Sequence, residues 1–366
     1  MTFLMFFGGL FALILGADLL VRGASRLALT LGISPLVVGL TVVSFGTSAP
    51  EMAVGVGAVL AGNADLALGN VVGSNIFNVL FILGLSAMIT PLVVNIQLIR
   101  QEVPIMLGAS LLLFLLVLDG NLGFFDGIML MGLMIVYTVF LVWQSRTQGQ
   151  AAQDEYAAEF APDKPAPWLD RLSVQVALII VGLVLLVLGS DWLVQASVVF
   201  AKAMGVSDLI IGLTIVAAGT SMPEVATSVT AAIKGERDIA VGNVVGSNTF
   251  NILGSLGLAG IVSGAVGAGG LAVPTAMLNF DLWVMTAVAL ACLPVFMTGR
   301  EIARWEGCMF FAYYIAYVAY LVLAAQKHDA VGAFSGAMLS FVLPLTVITL
   351  VVLALRQPTA TTPGAS

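Results

Sequence analysis

One passage occurs twice in this chain, each time inside apolar stretches long enough to cross a bilayer. Residues 44–51 read S-F-G-T-S-A-P-E and residues 217–224 read A-A-G-T-S-M-P-E. Eighteen residues past each Glu comes a shared string, G-N-V-V-G-S-N-I-F-N at 69–78 and G-N-V-V-G-S-N-T-F-N at 242–251. An acid carried within a bilayer-length apolar run is expensive, which marks Glu51 and Glu224 as functional positions. Their duplication suggests a site built where two halves of a membrane protein meet.

The rest of the chain fits that reading. Apolar residues make up 60% of it and charged residues only 9%, with mean hydropathy +1.10, far beyond what a soluble domain needs. Eleven runs read as transmembrane helices. They lie at about 3–21, 35–60, 68–90, 103–118, 124–143, 173–193, 208–233, 239–262, 279–297, 305–325 and 331–355. The first run has no positive flank before it and no small-residue exit after it, so it reads as a retained helix rather than a cleaved signal. With the N-terminus outside, eleven of the thirteen Lys and Arg residues fall in inner loops, and only Lys202 and Lys327 fall outside. That bias sets the expected orientation and places 144–170 in the cytoplasm. Cys292 and Cys308 have no metal-type spacing, and the lone His328 lies in a loop. Neither a histidine proton relay nor a His-ligated metal is expected.

Shifting the chain by 173 residues superimposes its halves without a gap over a long stretch. Gly16 and Asp18 fall on Gly189 and Asp191, Gly32 and Ser34 on Gly205 and Ser207, and Gly39-Leu40-Thr41 on Gly212-Leu213-Thr214. Between 38–52 and 211–225, 9 of 15 positions are identical. Each repeat holds five spans. Five is odd, so the second repeat enters the membrane from the opposite side and the repeats are inverted. The expected fold is therefore an all-α polytopic membrane protein: ten spans in two inverted five-helix repeats, plus one C-terminal span. The expected units are repeat 1 over 1–143, a Pro- and acid-rich cytoplasmic linker over 144–170, repeat 2 over 171–325, and an extra span with a disordered tail over 326–366.

The repeated strings carry hard-cation chemistry. Pro50 and Pro223 sit in mid-span, each removing an amide donor and clashing with the carbonyl four residues back. Carbonyls freed nearby, with those of Ser44 and Ala217 as candidates, need protein or a cation to satisfy them. Thr47, Ser48 and Glu51 share one face if the turn beyond the kink is helical, and so do Ser74 and Asn78. The second half supplies Thr220, Ser221, Glu224, Ser247 and Asn251. Two carboxylates, two amides and six hydroxyls form an oxygen-only set, suited to Ca²⁺ or Na⁺ and not to zinc or copper. One Ca²⁺, two Na⁺ or two H⁺ would neutralise the pair of glutamates, so a site that must be filled by one ion or another is a basis for exchange. The glycines of the Gly-x-x-x-G strings also suit close helix packing. Asp65 and Asp238 read as helix N-caps, and Asp18 and Asp191 as either ion contacts or partners of nearby polar groups.

Gly-Thr-Ser-x-Pro-Glu and Gly-Asn-x-x-Gly-Ser-Asn-x-x-Asn, each present twice, resemble the signature of the calcium/cation antiporter superfamily, most of all its prokaryotic sodium/calcium exchangers. The resemblance spans roughly residues 5–325. It implies that Glu51 and Glu224 bridge calcium, that Thr47 and Thr220 offer carbonyls, and that Ser48, Ser74, Ser221 and Ser247 serve sodium, with Asn78 and Asn251 completing the set. Asn at both of the last two positions argues against the potassium-dependent branch, and Gly-Thr-Ser in place of Gly-Asn-Ala favours sodium over protons. The resemblance also implies alternating access, with the first and sixth helices sliding on close contacts near Gly16, Gly23, Gly182 and Gly189.

The expected activity is Ca²⁺/Na⁺ antiport across a plasma membrane, the bacterial inner membrane, with both ions as cargo and no cofactor. An H⁺/Ca²⁺ antiporter on the same fold is the alternative. An enzyme is disfavoured by the lack of H-E-x-x-H or any histidine within a span, and a channel by the inverted arrangement. The lipid bilayer is the expected partner. Neither nucleic acid nor an obligate protein partner is indicated.

Overall fold

The structure is a computed structural model that describes residues 1–147, 169, 171–204 and 217–355. Most of the 144–170 linker, the 356–366 tail and the repeat positions Gly205, Ser207 and 212–214 lie outside the described residues. The chain is helical almost throughout. The first repeat comprises α1 (Thr2–Leu31), a bent pair α2 (Pro35–Thr47) and α3 (Ala49–Leu60), then α4 (Leu66–Ile89), α5 (Leu98–Leu116) and α6 (Phe124–Thr147). The second comprises α7 (Leu172–Ala203), α8 (Ala217–Gly219), α9 (Met222–Ile233), α10 (Arg237–Ala265), α11 (Met277–Met297) and α12 (Arg304–Ala325), and α13 (Ala330–Thr349) follows. Among the described residues nine helices, or ten with the bent pair, are long and apolar enough to span a membrane.

The connections between spans are short and chemically explicit. Gly32, with φ of 64°, closes α1 in the left-handed conformation that glycine adopts at least cost. Ser34 then caps α2, its Oγ accepting from the Val37 amide at 3.2 Å, with Pro35 at the first helical position. Two-residue strands clip the loops: β1 (Leu92–Val93), β2 (Asn121–Leu122), β3 (Leu271–Ala272) and β4 (Glu301–Ile302) pair as β1 with β4 and β2 with β3. One span separates β1 from β2, so the two clips sit at opposite ends of the bundle.

These pairings exchange under the repeat relation, the mark of a two-fold axis. Glycine contacts do the same: Gly84 meets Gly307, and Gly127 meets Gly257. The equivalent helices α1 and α7 pack side by side and antiparallel, which shows the inversion directly. A Cβ placed on Gly9 would lie 2.8 Å from the Gly189 carbonyl oxygen, one on Gly16 2.8 Å from that of Gly182, and one on Gly23 3.0 Å from that of Gln175. Contacts every seven residues along both helices keep the axes nearly aligned.

Both of these helices are longer than their apolar runs. The runs at 3–21 and 173–193 belong to helices of 30 and 32 residues. At ~1.5 Å per residue each exceeds the ~30 Å hydrocarbon core. The extra turns of α1 carry Arg22 and Arg26, which end the hydropathy signal without ending the helix. Asp18 pairs with Arg22 at 2.8 Å and with Lys234 at 2.6 Å, and Asp191 accepts from Gln195 at 2.8 Å. These two acids therefore act as partners of neighbouring polar groups and stand apart from the glutamates. Because the Asp18 pair is partly exposed, Asp18→Asn is expected to shift stability by no more than ~1 kcal/mol, read from thermal melting in detergent.

The start of α10 departs from expectation. Asp238 lies inside its first turn, with Glu236 at the cap position, so it interacts with the helix dipole rather than capping the end. Asp65 has no described side chain.

The candidate ion site between the repeats

Both motif helices break one turn before the acid. Ser48 has φ −83° and ψ 2°, leaving a 40° bend between α2 and α3, and Ser221 has φ −90° and ψ 8° at the same place in the second repeat. Pro50 and Pro223 then sit in the first turns of α3 and α9, where the new helix itself needs no amide from them. The bend throws Glu51 and Glu224 into the centre of the protein, and both are fully buried. The other strings lie on α4 and α10, the most deeply enclosed of the long helices. In each, the last Asn opens a π-helical turn, Asn78–Leu83 and Asn251–Leu256. Such turns widen the helix and free backbone geometry, often at functional sites.

The side chains cross between repeats in matched pairs. Ser48 Oγ donates to Glu224 Oε1 at 3.2 Å, and Ser221 Oγ to Glu51 Oε1 at 3.0 Å. Ser221 Oγ also lies 3.1 Å from Ser74 Oγ. Asn78 Nδ2 donates to Asn248 Oδ1 at 3.0 Å, and Asn251 Nδ2 to Asn75 Oδ1 at 3.2 Å. Asn75 and Asn248 each donate to the other's backbone carbonyl at 3.2 Å. Together these bonds sew the two repeats along the pseudo-two-fold axis.

The unsatisfied atoms define what the site lacks. Oε2 of Glu51, Oε2 of Glu224, Oδ1 of Asn78, Oδ1 of Asn251 and Oγ of Ser247 are all buried and have no hydrogen-bond partner. Unpaired buried oxygens are costly, yet these five come from the acids, amides and a hydroxyl of the duplicated strings. No basic side chain forms an ion pair with either glutamate among the described residues. A cluster of oxygens rich in acceptors and formal negative charge, with no basic side chain beside it, fits a hard metal ion as cargo.

Three expectations need correction or extension. The Ser44 carbonyl is not released by the kink: it accepts the Ser48 amide at 2.9 Å and the Thr47 hydroxyl at 3.4 Å. The carbonyl that loses its donor to Pro50 is that of Gly46, two residues on. Ser44 instead uses its hydroxyl, donating to the Gly39 carbonyl at 2.6 Å and to that of Asn243 at 3.1 Å, which seats α2 on α10 where Gly246 permits close approach. Ala217 opens the short helix α8.

The threonine hydroxyls bond to asparagines of the opposite repeat. Thr47 donates to Asn243 Oδ1 at 3.1 Å and Thr220 to Asn70 Oδ1 at 3.2 Å. Thr47→Val is expected to lower stability by ~1–3 kcal/mol by stranding the Asn243 amide oxygen. Equilibrium binding of radioactive calcium should change far less than in a glutamate variant.

Asn70, Asn75, Asn243 and Asn248 were not singled out from the sequence, although they occupy the same doubled strings at the same 173-residue shift. That shift was the available signal. Asn243 further donates to Ser228 Oγ at 2.9 Å, a bond with no twin, since Gly55 stands at the equivalent position.

Comparison with known proteins agrees with this geometry. The profile of the family described as sodium/calcium exchanger protein matches residues 1–143 and 174–323. Sodium/calcium exchanger MaX1 of Methanosarcina acetivorans is 34% identical over 349 residues, covering 87% of this chain and 98% of the relative. Inner membrane protein YrbG of Escherichia coli is 39% identical over 255 residues, covering 70% of this chain and 78% of the relative. A solved structure of the sodium-calcium exchanger NCX_Mj superimposes with a TM-score of 0.73 at 30% identity, covering 87% of this chain and 98% of that one. Duplicated motifs, antiparallel repeats and near full-length similarity converge: the chain belongs to the sodium/calcium exchanger protein family, a group of multi-pass cation exchangers.

Proposed function

We propose that this protein exchanges Ca²⁺ for Na⁺ across the plasma membrane by alternating access, with Glu51 and Glu224 as the shared charged ligands. The carrying observation is the set of five buried, unpartnered oxygens on duplicated residues, ringed by hydroxyls and amides with no basic side chain in an ion pair to either glutamate among the described residues. Calcium would take both carboxylates, and Ser48, Ser74, Ser221 and Ser247 supply hydroxyls for sodium. Asn78 and Asn251 contribute neutral amide oxygens, which keeps the formal charge of the cluster at −2. Two Na⁺ balance that charge and three leave +1. A three-for-one cycle would move one net charge, worth ~2.3 kcal/mol per 100 mV.

Alternating access needs two bodies that can slide. The close glycine seam between α1 and α7 holds the two helices together as one body that could move as a unit. The names of the relatives support the sodium reading: MaX1 carries sodium and calcium in its name, and YrbG an inner membrane location. The distribution of Lys and Arg favours an outside N-terminus. The linker at 144–170 and the two repeats are taken as the working units of the protein.

Radioactive calcium uptake into proteoliposomes tests the coupling. Vesicles loaded with sodium should take up calcium when diluted into sodium-free medium, and vesicles with only a pH gradient should not. Uptake driven by the pH gradient alone would instead support H⁺/Ca²⁺ exchange.

A further inference from the structure

The second repeat and the C-terminal helix enclose a cavity. It lies between α11, α12 and α13, has a volume of about 550 Å³, and is lined by residues that include Phe280, Trp283, Ala287, Tyr313, Tyr320 and Leu339. Helix α13 has no counterpart in the first repeat, so this wall is unique. Three of the lining hydroxyls are engaged: Tyr317 donates to Asp281 Oδ1 at 2.9 Å, and Tyr313 pairs with Thr346. Apart from the hydroxyls of Ser335 and Tyr320, what remains of the lining is hydrocarbon and ring surface.

We propose that this cavity is a binding site for one acyl chain of a membrane phospholipid. Three observations select that occupant. The walls are membrane-spanning helices, so the medium at the open side is lipid. The lining runs from Phe280 to Ala291 on α11 and from Met309 to Tyr320 on α12. Eleven steps of ~1.5 Å rise give a length of ~16 Å, about half the ~30 Å hydrocarbon thickness, which is the reach of a chain from a single leaflet. The volume also falls within the ~300–1,000 Å³ of small-molecule sites. A single chain, held on one side by aromatic rings and on the other by α13, suits this space, whereas a helix ~10 Å across and ~16 Å long would need about twice the volume.

The floor of the cavity includes Leu80, two residues beyond Asn78 and inside the same π-helical turn. The bound chain therefore packs behind the segment that presents one of the site amides.

A phospholipid carrying a diazirine at mid-chain tests this on the full-length protein in vesicles, with adducts mapped by peptide mass spectrometry. Adducts on 280–291 and 334–347 should saturate as the mole fraction of probe rises. Adducts on the lipid-facing side of α6, at Ile135 and Val139, should rise linearly over the same range. The double variant Ala287→Phe, Ala316→Phe fills the cavity and should cut the cavity adducts at least tenfold, leave the α6 adducts unchanged and retain ion exchange. Cavity labelling that rises linearly in the wild type, or that survives filling in an active variant, would overturn the proposal. The wild-type titration separates saturating from linear labelling even if the double variant fails to fold.

Discussion

Glu51→Gln, and separately Glu224→Gln, is expected to abolish calcium transport while leaving a protein that elutes and melts like wild type or better. The reasoning rests on what surrounds each carboxylate. Both are fully buried, each accepts one serine hydroxyl, and neither has a basic partner among the described residues. Replacing an uncompensated buried charge with an isosteric amide removes a desolvation penalty and keeps the shape. The bound cation, in contrast, loses half of its formal counter-charge in a low-dielectric site. A loss of ~3 kcal/mol in ion binding corresponds to roughly 100-fold or more. Opposite movement of stability and transport separates this outcome from simple misfolding. Tracer uptake in proteoliposomes, read beside thermal melting, checks both halves. Wild-type uptake by either variant would remove the glutamates from the site.

Gly16→Val should be nearly as damaging for a different reason. A Cβ at Gly16 would sit 2.8 Å from the Gly182 carbonyl oxygen and 2.9 Å from the Leu186 amide nitrogen, both backbone atoms that have no rotamer to escape into. The helices must separate along a seam that also holds Gly9 against Gly189 and Gly23 against Gln175. Overpacking of this kind costs about 1–3 kcal/mol. If α1 and α7 slide as a pair during exchange, the same wedge should cut the exchange rate at least tenfold with calcium affinity almost unchanged. Equal rates with lowered stability would show the seam to be structural only. Gly57, which has no close neighbour, is a matched control: Gly57→Ala should leave both quantities near wild type.

The large features were legible because they rest on periodic or repeated signals. Apolar runs of bilayer length located the spans. An odd number of helices per repeat, with the 173-residue shift, fixed their inversion, which the antiparallel α1–α7 seam then displays. The helix ends were less legible. Hydropathy falls at Arg22, but the backbone of α1 continues to Leu31, because a helix leaving the bilayer loses its lipid and keeps its hydrogen bonds. Within the site, residue type gave the ligand inventory and could not give side-chain direction. Thr47 looked like a partner of Glu51 at helical spacing. The break at Ser48 rotates the preceding turn, so its hydroxyl meets Asn243 on the other repeat. Likewise the Pro50 kink was visible, but which carbonyl it strands depended on where α3 begins. Asn75 and Asn248 were hidden in plain view, since an asparagine that pairs across a two-fold axis has no partner in its own stretch of sequence.

The claim that the doubled cluster is one calcium site is tested most directly by a crystal structure grown with calcium and measured for anomalous scattering. One calcium peak is expected between the two repeats, with carboxylate oxygens of both Glu51 and Glu224 at ~2.3–2.6 Å. An ordered calcium elsewhere in the membrane region, with both carboxylates touching protein alone, would contradict it.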